Sequence, residues 1–207
     1  STVVKDTLVF AATAPGLTAN QAWVQTDAVN DRSGSQTYDN AGRLATQTDP
    51  AGLVTTYAYD AASRLLSSTV AKPGDVTAVP RVSRMFYDSA NRMVATLDAA
   101  GYLTETIYDA GGRAVKAIRY ATLTNSTYWA NGTLTQLRPA ANAANDQTTR
   151  LFYNARSQQI GMLDAEGHLT EFVYDEANNQ RAVKSYAKRL TGLTGTETLA
   201  TLRTSAT

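Results

Sequence analysis

The residues of this chain whose types and spacing suit chemistry are repeated carboxylates. Asp49 opens "DPAG", Asp98 opens "DAAG" and Asp164 opens "DAEG". A recurring carboxylate is what general acid/base catalysis or a hard metal ion would use. Each of the three holds the same place in a different segment, however, so formation of three equivalent turns explains them together. His168 is the only histidine, and its sister positions are Leu53 and Tyr102, which argues against a catalytic or ligating role. A second set couples Asp39, Asp60, Asp88 and Asp109 to Arg43, Arg64, Arg92 and Arg113, always four residues later. These charges either pair, within or between turns, or sit separately in solvent. With no cysteine the chain has neither a disulfide framework nor a thiolate metal site. No nucleophile elbow, phosphate-binding glycine loop or dinucleotide fingerprint occurs. The expectation is therefore no catalytic residue, no metal and no cofactor.

The repetition itself carries the information. Tyr followed by Asp or Asn recurs at Tyr38, Tyr59, Tyr87, Tyr108, Tyr153 and Tyr174, in steps of 21, 28, 21, 45 and 21 residues. Self-similarity on this scale marks a repeat architecture, in which each unit buries its apolar face against its neighbours. The units pair as Tyr38 with Tyr59, Tyr87 with Tyr108 and Tyr153 with Tyr174. Inside each pair the Asp-x-x-Gly segment begins 11 residues after the first Tyr.

The elements that must position these residues are strands. The runs "LVTTYAY" from Leu53, "YLTETIY" from Tyr102 and "HLTEFVY" from His168 stack in register. One parity reads Val54/Leu103/Leu169, Thr56/Glu105/Glu171 and Ala58/Ile107/Val173, a period of two. The runs "RLATQT" from Arg43, "RMVATL" from Arg92 and "QQIGML" from Gln158 precede the Asp signals and have similar length. Two strands joined by Asp-x-x-Gly predict an antiparallel hairpin, with Asp accepting backbone N–H bonds and Gly52, Gly101 and Gly167 supplying positive φ. The fourth residue after each repeat Tyr is Gly42, Ser63, Asn91, Gly112, Ser157 or Asn178, and the Gly and Asn members suit a left-handed turn position. In the fifth unit Asp and Arg change together, to Asn154 and Gln158. In the sixth, Asp175 precedes "RAVK" from Arg181, identical to "RAVK" from Arg113, which predicts a turn two residues longer there.

Composition bounds the rest. The 19 basic and 18 acidic residues among 207 give no bias toward nucleic acid or an acidic membrane. No apolar run reaches the roughly 18 residues of a membrane span. Tyr (11) outnumbers Phe (4), as suits half-buried sheet. The chain opens at Ser1 without a visible targeting segment and reads as a piece of a longer one.

The pattern Tyr-Asp-x-x-Gly-Arg, then Asp-Pro-x-Gly, then a strand ending in the next Tyr-Asp, resembles the YD-repeat, or RHS-repeat, family. "YDNAGRL" (Tyr38 to Leu44), "DPAG" and "YDAGGR" (Tyr108 to Arg113) carry it most clearly. The resemblance implies a mainly β fold, an antiparallel hairpin ribbon that forms an arc of a spiralling hollow shell. In bacterial toxins of the family, insecticidal toxin complexes among them, such a shell encloses a toxic C-terminal segment; teneurins are more distant members. The family shell needs more repeats than six, so this chain is expected to be one arc. "DPAGL" from Asp49 looks like the self-cleavage segment at the end of such shells, yet it opens an ordinary repeat with two sisters.

The expected organisation is a degenerate repeat region over 1–37, a ribbon over 38–186 with hairpin pairs 38–65, 87–114 and 153–181 and an insert at about 120–150, and a truncated insert over 187–207. "SYA" from Ser185 parallels "RYA" from Arg119, and "LATLR" from Leu199 parallels "LTQLR" from Leu134, so one short helix is expected in each insert, with Pro139 ending the first. Expected partners are neighbouring repeats, an enclosed toxin segment, and other copies through open strand edges. Tyr128 and Trp129, beside the sequons "NST" and "NGT", either pin the insert to the sheet or offer a platform to a carbohydrate. An adhesion or carbohydrate-binding module is thus the alternative to encapsulation. The resemblance places the protein outside a bacterial cell, secreted or at its surface.

Overall fold

A computed structural model describes residues 33–75 and 79–207. Short runs of Val, Thr, Tyr and Leu, bounded by Asp and Gly, form twelve strands in one antiparallel sheet whose spatial order is the chain order. The strands are β1 (Ser35–Tyr38), β2 (Leu44–Thr48), β3 (Val54–Tyr59), β4 (Leu65–Ala71), β5 (Arg81–Tyr87) and β6 (Met93–Leu97). They continue as β7 (Leu103–Tyr108), β8 (Ala114–Arg119), β9 (Gln147–Tyr153), β10 (Gln159–Leu163), β11 (Leu169–Tyr174) and β12 (Gln180–Ser185). A 3-10 turn (Ser126–Tyr128) and helix α1 (Leu134–Leu137) lie between β8 and β9, and helix α2 (Leu199–Ala206) follows β12. The fold is mainly β, with one short helix per insert. Of the stretch 1–37, residues 1–32 lie outside the described residues, and β1 occupies its end. No helix among the described residues is long and apolar enough to cross a membrane.

A meander places all six Tyr-Asp turns on one rim of the sheet. The opposite rim carries the three Asp-x-x-Gly turns and the roots of the two inserts. The two turn classes share one backbone design. At Asp39 the N–H donates to the Arg43 carbonyl (2.8 Å) and the Gly42 N–H returns to the Asp39 carbonyl (2.9 Å). At Asp49 the same bonds join Leu53 and Gly52. Each loop thus closes through a residue with positive φ, and Ser63 (62°) and Ser157 (62°) adopt this conformation as Asn91 and Asn178 do. The sixth turn corrects the expectation of extra length: the Asp175 N–H donates to the Asn179 carbonyl and Asn178 has φ 67°. Asn179 fills the place of the turn Arg, because the turn needs a backbone carbonyl there and no particular side chain.

The classes differ one residue further out. Every Tyr-Asp turn shifts register beside its Tyr: Tyr38 faces Leu44 while Thr37 faces Thr46, and the same skip recurs at Tyr59, Tyr87, Tyr108, Tyr153 and Tyr174. The Asp-x-x-Gly hairpins stay in step, as in Thr48 with Val54 and Leu97 with Leu103. A bulge sharpens local twist and bends its strand, so curvature is introduced at one rim only.

Burial is one-sided. Along β7, Leu103 and Glu105 are buried while Thr104 and Thr106 are half-buried, and β11 repeats this with Leu169 and Glu171. Two apolar patches result, Ala95, Leu103 and Tyr120 in one, Leu163, Leu169, Tyr186, Leu190, Leu202 and Ala206 in the other. In each patch an insert closes over a hairpin.

Candidate functional site

Two constellations recur, and the first is built from residues singled out by sequence. The first is a ladder along the Tyr-Asp rim. Within a turn, the Asp39 Oδ1 accepts the N–H groups of Ala41 and Arg43 (2.9 Å each), which leaves Oδ2 to the Arg43 guanidinium at 2.7 Å through both Nε and Nη2. The same fork joins Arg64 to Asp60, Arg92 to Asp88 and Arg113 to Asp109. The backbone N–H bonds, and in the Asp109 turn the Arg113 side chain foremost, hold Asp39, Asp60, Asp88 and Asp109 below the ordinary carboxylate range. At the fifth turn Asn154 donates to the Gln158 Oε1 (2.7 Å), a neutral version of the same bond. At the sixth, Arg181 reaches back to Asp175 at 2.7 Å from beyond the turn.

Each guanidinium also spans to the following turn. Arg43 lies 4.7 Å from the Tyr59 ring centroid, Arg64 4.5 Å from Tyr87, Arg92 4.5 Å from Tyr108 and Arg113 5.0 Å from Tyr153. Arg43 Nη1 donates to the Ser63 Oγ (3.2 Å), Arg64 to Asn91 (2.8 Å) and Arg113 to the Ser157 Oγ (3.4 Å). The residue with positive φ therefore also receives the preceding arginine. Tyr59, Tyr87, Tyr108 and Tyr174 complete the step by donating their hydroxyls to the carbonyls of Leu44, Leu65, Met93 and Gln159 at 2.9–3.0 Å. The guanidiniums, the turn carboxylates and these hydroxyls are thus spent on neighbours in the chain, an arrangement that fixes strand spacing.

Each Asp-x-x-Gly carboxylate likewise commits its Oδ1 to its own turn. Asp49 Oδ1 accepts from Ala51 and Leu53, Asp98 from Ala100 and Tyr102, and Asp164 from Glu166 and His168, all at 2.8–3.0 Å through backbone N–H groups. Among the described residues no three of His, Cys, Asp and Glu form a group that could hold a metal ion. The glycines differ in surroundings. A Cβ on Gly52 would meet nothing among the described residues, whereas on Gly101 it would enter the Trp129 ring and on Gly167 the Leu190 backbone. Trp129 packs on the Gly101 turn and spends its indole N–H on the Thr124 Oγ1 (2.7 Å). Arg84, on β5, grips the Gly132 carbonyl at 2.6 Å. The insert around Tyr128 and Trp129 is pinned to the sheet at these points.

The second constellation was not among the residues expected to matter. Glu105, buried on β7, accepts from Arg138 Nη2 (2.6 Å) and from the Tyr120 hydroxyl (2.5 Å). Burial pushes Glu105 up, but the Arg138 guanidinium and the Tyr120 hydroxyl outweigh it and leave the carboxyl below its usual value. Burial and the Glu105 charge push Tyr120 up to about 12. The second insert repeats the grip, with Arg203 Nε on Glu171 at 2.6 Å. Backbone bonds match as well: Tyr120 and Tyr186 donate to Leu103 and Leu169, and Thr124 and Leu190 to Gly101 and Gly167. The available signal was the column Thr56/Glu105/Glu171, in which Glu stands only in the two hairpins that an insert covers.

Residues 38–74 match the family model described as RHS Repeat. No curated protein matches the chain. Among solved structures, the fold is similar to the crystal structure of TcdB2-TccC3, with a TM-score of 0.54 and 20% identity over 78% of this chain and 8% of that one. TcdB2-TccC3-Cdc42 gives 0.52 at 19% identity, over 76% and 8%. The Photorhabdus luminescens Tc holotoxin pore gives 0.51 at 20% identity, over 72% and 8%. The chain spans about 8% of the length of these similar chains.

Proposed function

We propose that this chain is a run of RHS, or YD, repeats, that it is a structural section of a secreted toxin shell, and that the wall it builds encloses another segment of its parent protein. The observation that carries this reading is the unbroken twelve-strand meander with register skips on one rim only. Skips confined to one rim bend successive hairpins the same way, which is how a ribbon is turned into a wall. The repeat positions serve as wall parts: Tyr as rungs, Asp as turn formers, Arg as ties between turns, Gly as turn closures. Catalysis is not assigned to any of them.

The test is electron microscopy of the full parent protein, with limited proteolysis of the same sample. A hollow particle in which one segment resists protease supports the reading. An extended, solid ribbon with every segment cleaved overturns it, and glycan binding lost on Trp129→Ala would move the assignment to adhesion.

A further inference from the structure

The two inserts cover the same face of the sheet, start from the same rim and share most of a contact set, although the Tyr120 hydroxyl donates to Glu105 while that of Tyr186 is buried without a hydrogen-bond partner among the described residues. A strand glutamate (Glu105, Glu171), a tyrosine that opens the insert (Tyr120, Tyr186), a turn glycine under it (Gly101, Gly167) and a Leu-x-x-Leu-Arg helix (134–138, 199–203) recur together. The first hairpin pair lacks the whole set. Only the short segment 72–80 separates β4 from β5, Thr56 replaces the glutamate with its side chain exposed, and among the described residues nothing lies over Gly52. The glutamate and the insert therefore occur together or not at all.

We propose that the glutamate at this strand position selects where an insert seats, and that each insert is a lid that opens as a unit, apart from the sheet, when its glutamate–arginine latch is broken. The strands hold one another through continuous ladders, while a lid is tied by two backbone bonds at its root, the latch, buried leucines such as Leu137 and Leu202, and side-chain grips: Arg84 on the Gly132 carbonyl and Trp129 on the Gly101 turn in the first insert, Arg150 on Glu197 and Arg189 on the Glu166 carbonyl in the second. A segment held mainly by side-chain ties opens at a lower free energy than the backbone ladder beneath it. The latch is the decisive tie because its acceptor is buried: without the guanidinium, Glu105 keeps a charge that water cannot reach. An open lid uncovers Ala95 and Leu103 in one module, or Leu163 and Leu169 in the other.

Amide hydrogen exchange on the whole chain tests this with Arg138→Met, whose site is half exposed and tolerates the change, beside Glu105→Gln. The expected result is faster exchange at Thr124, Leu137 and Arg138 by about 10-fold or more, with the amides of β6 and β7 and those of the second insert unchanged. Arg203→Met should do the same to the second insert alone. Exchange that rises equally in lid and sheet would show that the insert is part of one cooperative core. Unchanged lid exchange in both Arg138→Met and Glu105→Gln would show that the latch does not seat it. Either outcome overturns the proposal, and neither bears on whether the parent protein forms a shell.

Discussion

Tyr108 shows what a repeat tyrosine does in this sheet. Its ring supports the Arg92 guanidinium at 4.5 Å and its hydroxyl donates to the Met93 carbonyl at 2.9 Å. The side chain is half-buried, so truncation loses part of a core aromatic's contribution together with the cation–π contact and one hydrogen bond. Tyr108→Ala should cost about 2–3 kcal/mol and Tyr108→Phe about 1 kcal/mol. Thermal melts should rank Tyr108→Ala as worse than Arg92→Ala, since the ion pair that Arg92 makes with Asp88 is only half-buried and is partly screened by water. A reversed ranking would mean that the arginine ties, and not the tyrosine rungs, hold the ladder. The turn aspartates set the pH response. Backbone N–H bonds from Arg92 lead in depressing Asp88 from its ordinary value of 3.8. A carboxyl whose pKa is lower folded than unfolded contributes stability that is complete above about pH 4 and is lost as pH falls toward its folded value. Urea midpoints should therefore fall below pH 4. Asp88→Asn should start from a lower plateau at neutral pH and lose less on acidification, as Asn154 already models at the fifth turn. Equal slopes for wild type and variant would remove Asp88 from that response.

At the scale of elements, glycine separates turn formation from lid docking. Gly52 and Gly101 both have positive φ (81° and 91°), so Ala at either position costs roughly 1 kcal/mol in backbone strain. Only at Gly101 does the new methyl enter the Trp129 ring. Gly101→Ala should thus destabilise more than Gly52→Ala and should shift Trp129 fluorescence, which Gly52→Ala should leave alone. The same contrast explains what the sequence made legible. Tyr38, Asp49 and Gly52 state their turns through local chemistry, because Asp accepts its own loop's N–H bonds and Gly tolerates the left-handed region. Alternation in "YLTETIY" and "HLTEFVY" marks the strands for the same reason, and the parallel between "LTQLR" and "LATLR" marks the helices. The register skips beside each Tyr were not legible, since a bulge is a relation between two strands and has no residue of its own. Glu105 was hidden for a similar reason: its partner Arg138 lies 33 residues away, and only the fold brings them together. Arg181 misled in the other direction, since a familiar "RAVK" string suggested a longer turn while the Asn179 carbonyl had already closed it.

For the whole molecule the open edge decides behaviour. Strand β12 is exposed at all six positions and, among the described residues, pairs only with β11, whereas its counterparts β4 and β8 each have a strand on both sides. An unpaired edge offers N–H and C=O groups to any extended strand, and a second copy of the chain presents the same edge. Two-fold pairing of β12 with β12 closes after two copies, so it gives a dimer and not a fibre. The edge carries its own deterrent, because Lys184 and the largely exposed Arg181, whose charge Asp175 offsets in part, lie on β12 and antiparallel pairing sets the basic edges of both copies against each other. Like charges at such separations repel over about 10 Å in 0.1 M salt and over about 3 Å in 1 M salt. The chain should therefore show a monomer–dimer equilibrium that strengthens as salt is raised, the opposite of an association driven by opposite charges. Sedimentation velocity across a hundredfold range of concentration, at low and high salt, reads this directly. Association that weakens with salt would place the contact elsewhere on the surface, and a strict monomer under all conditions would show that the β12 edge does not recruit a second copy.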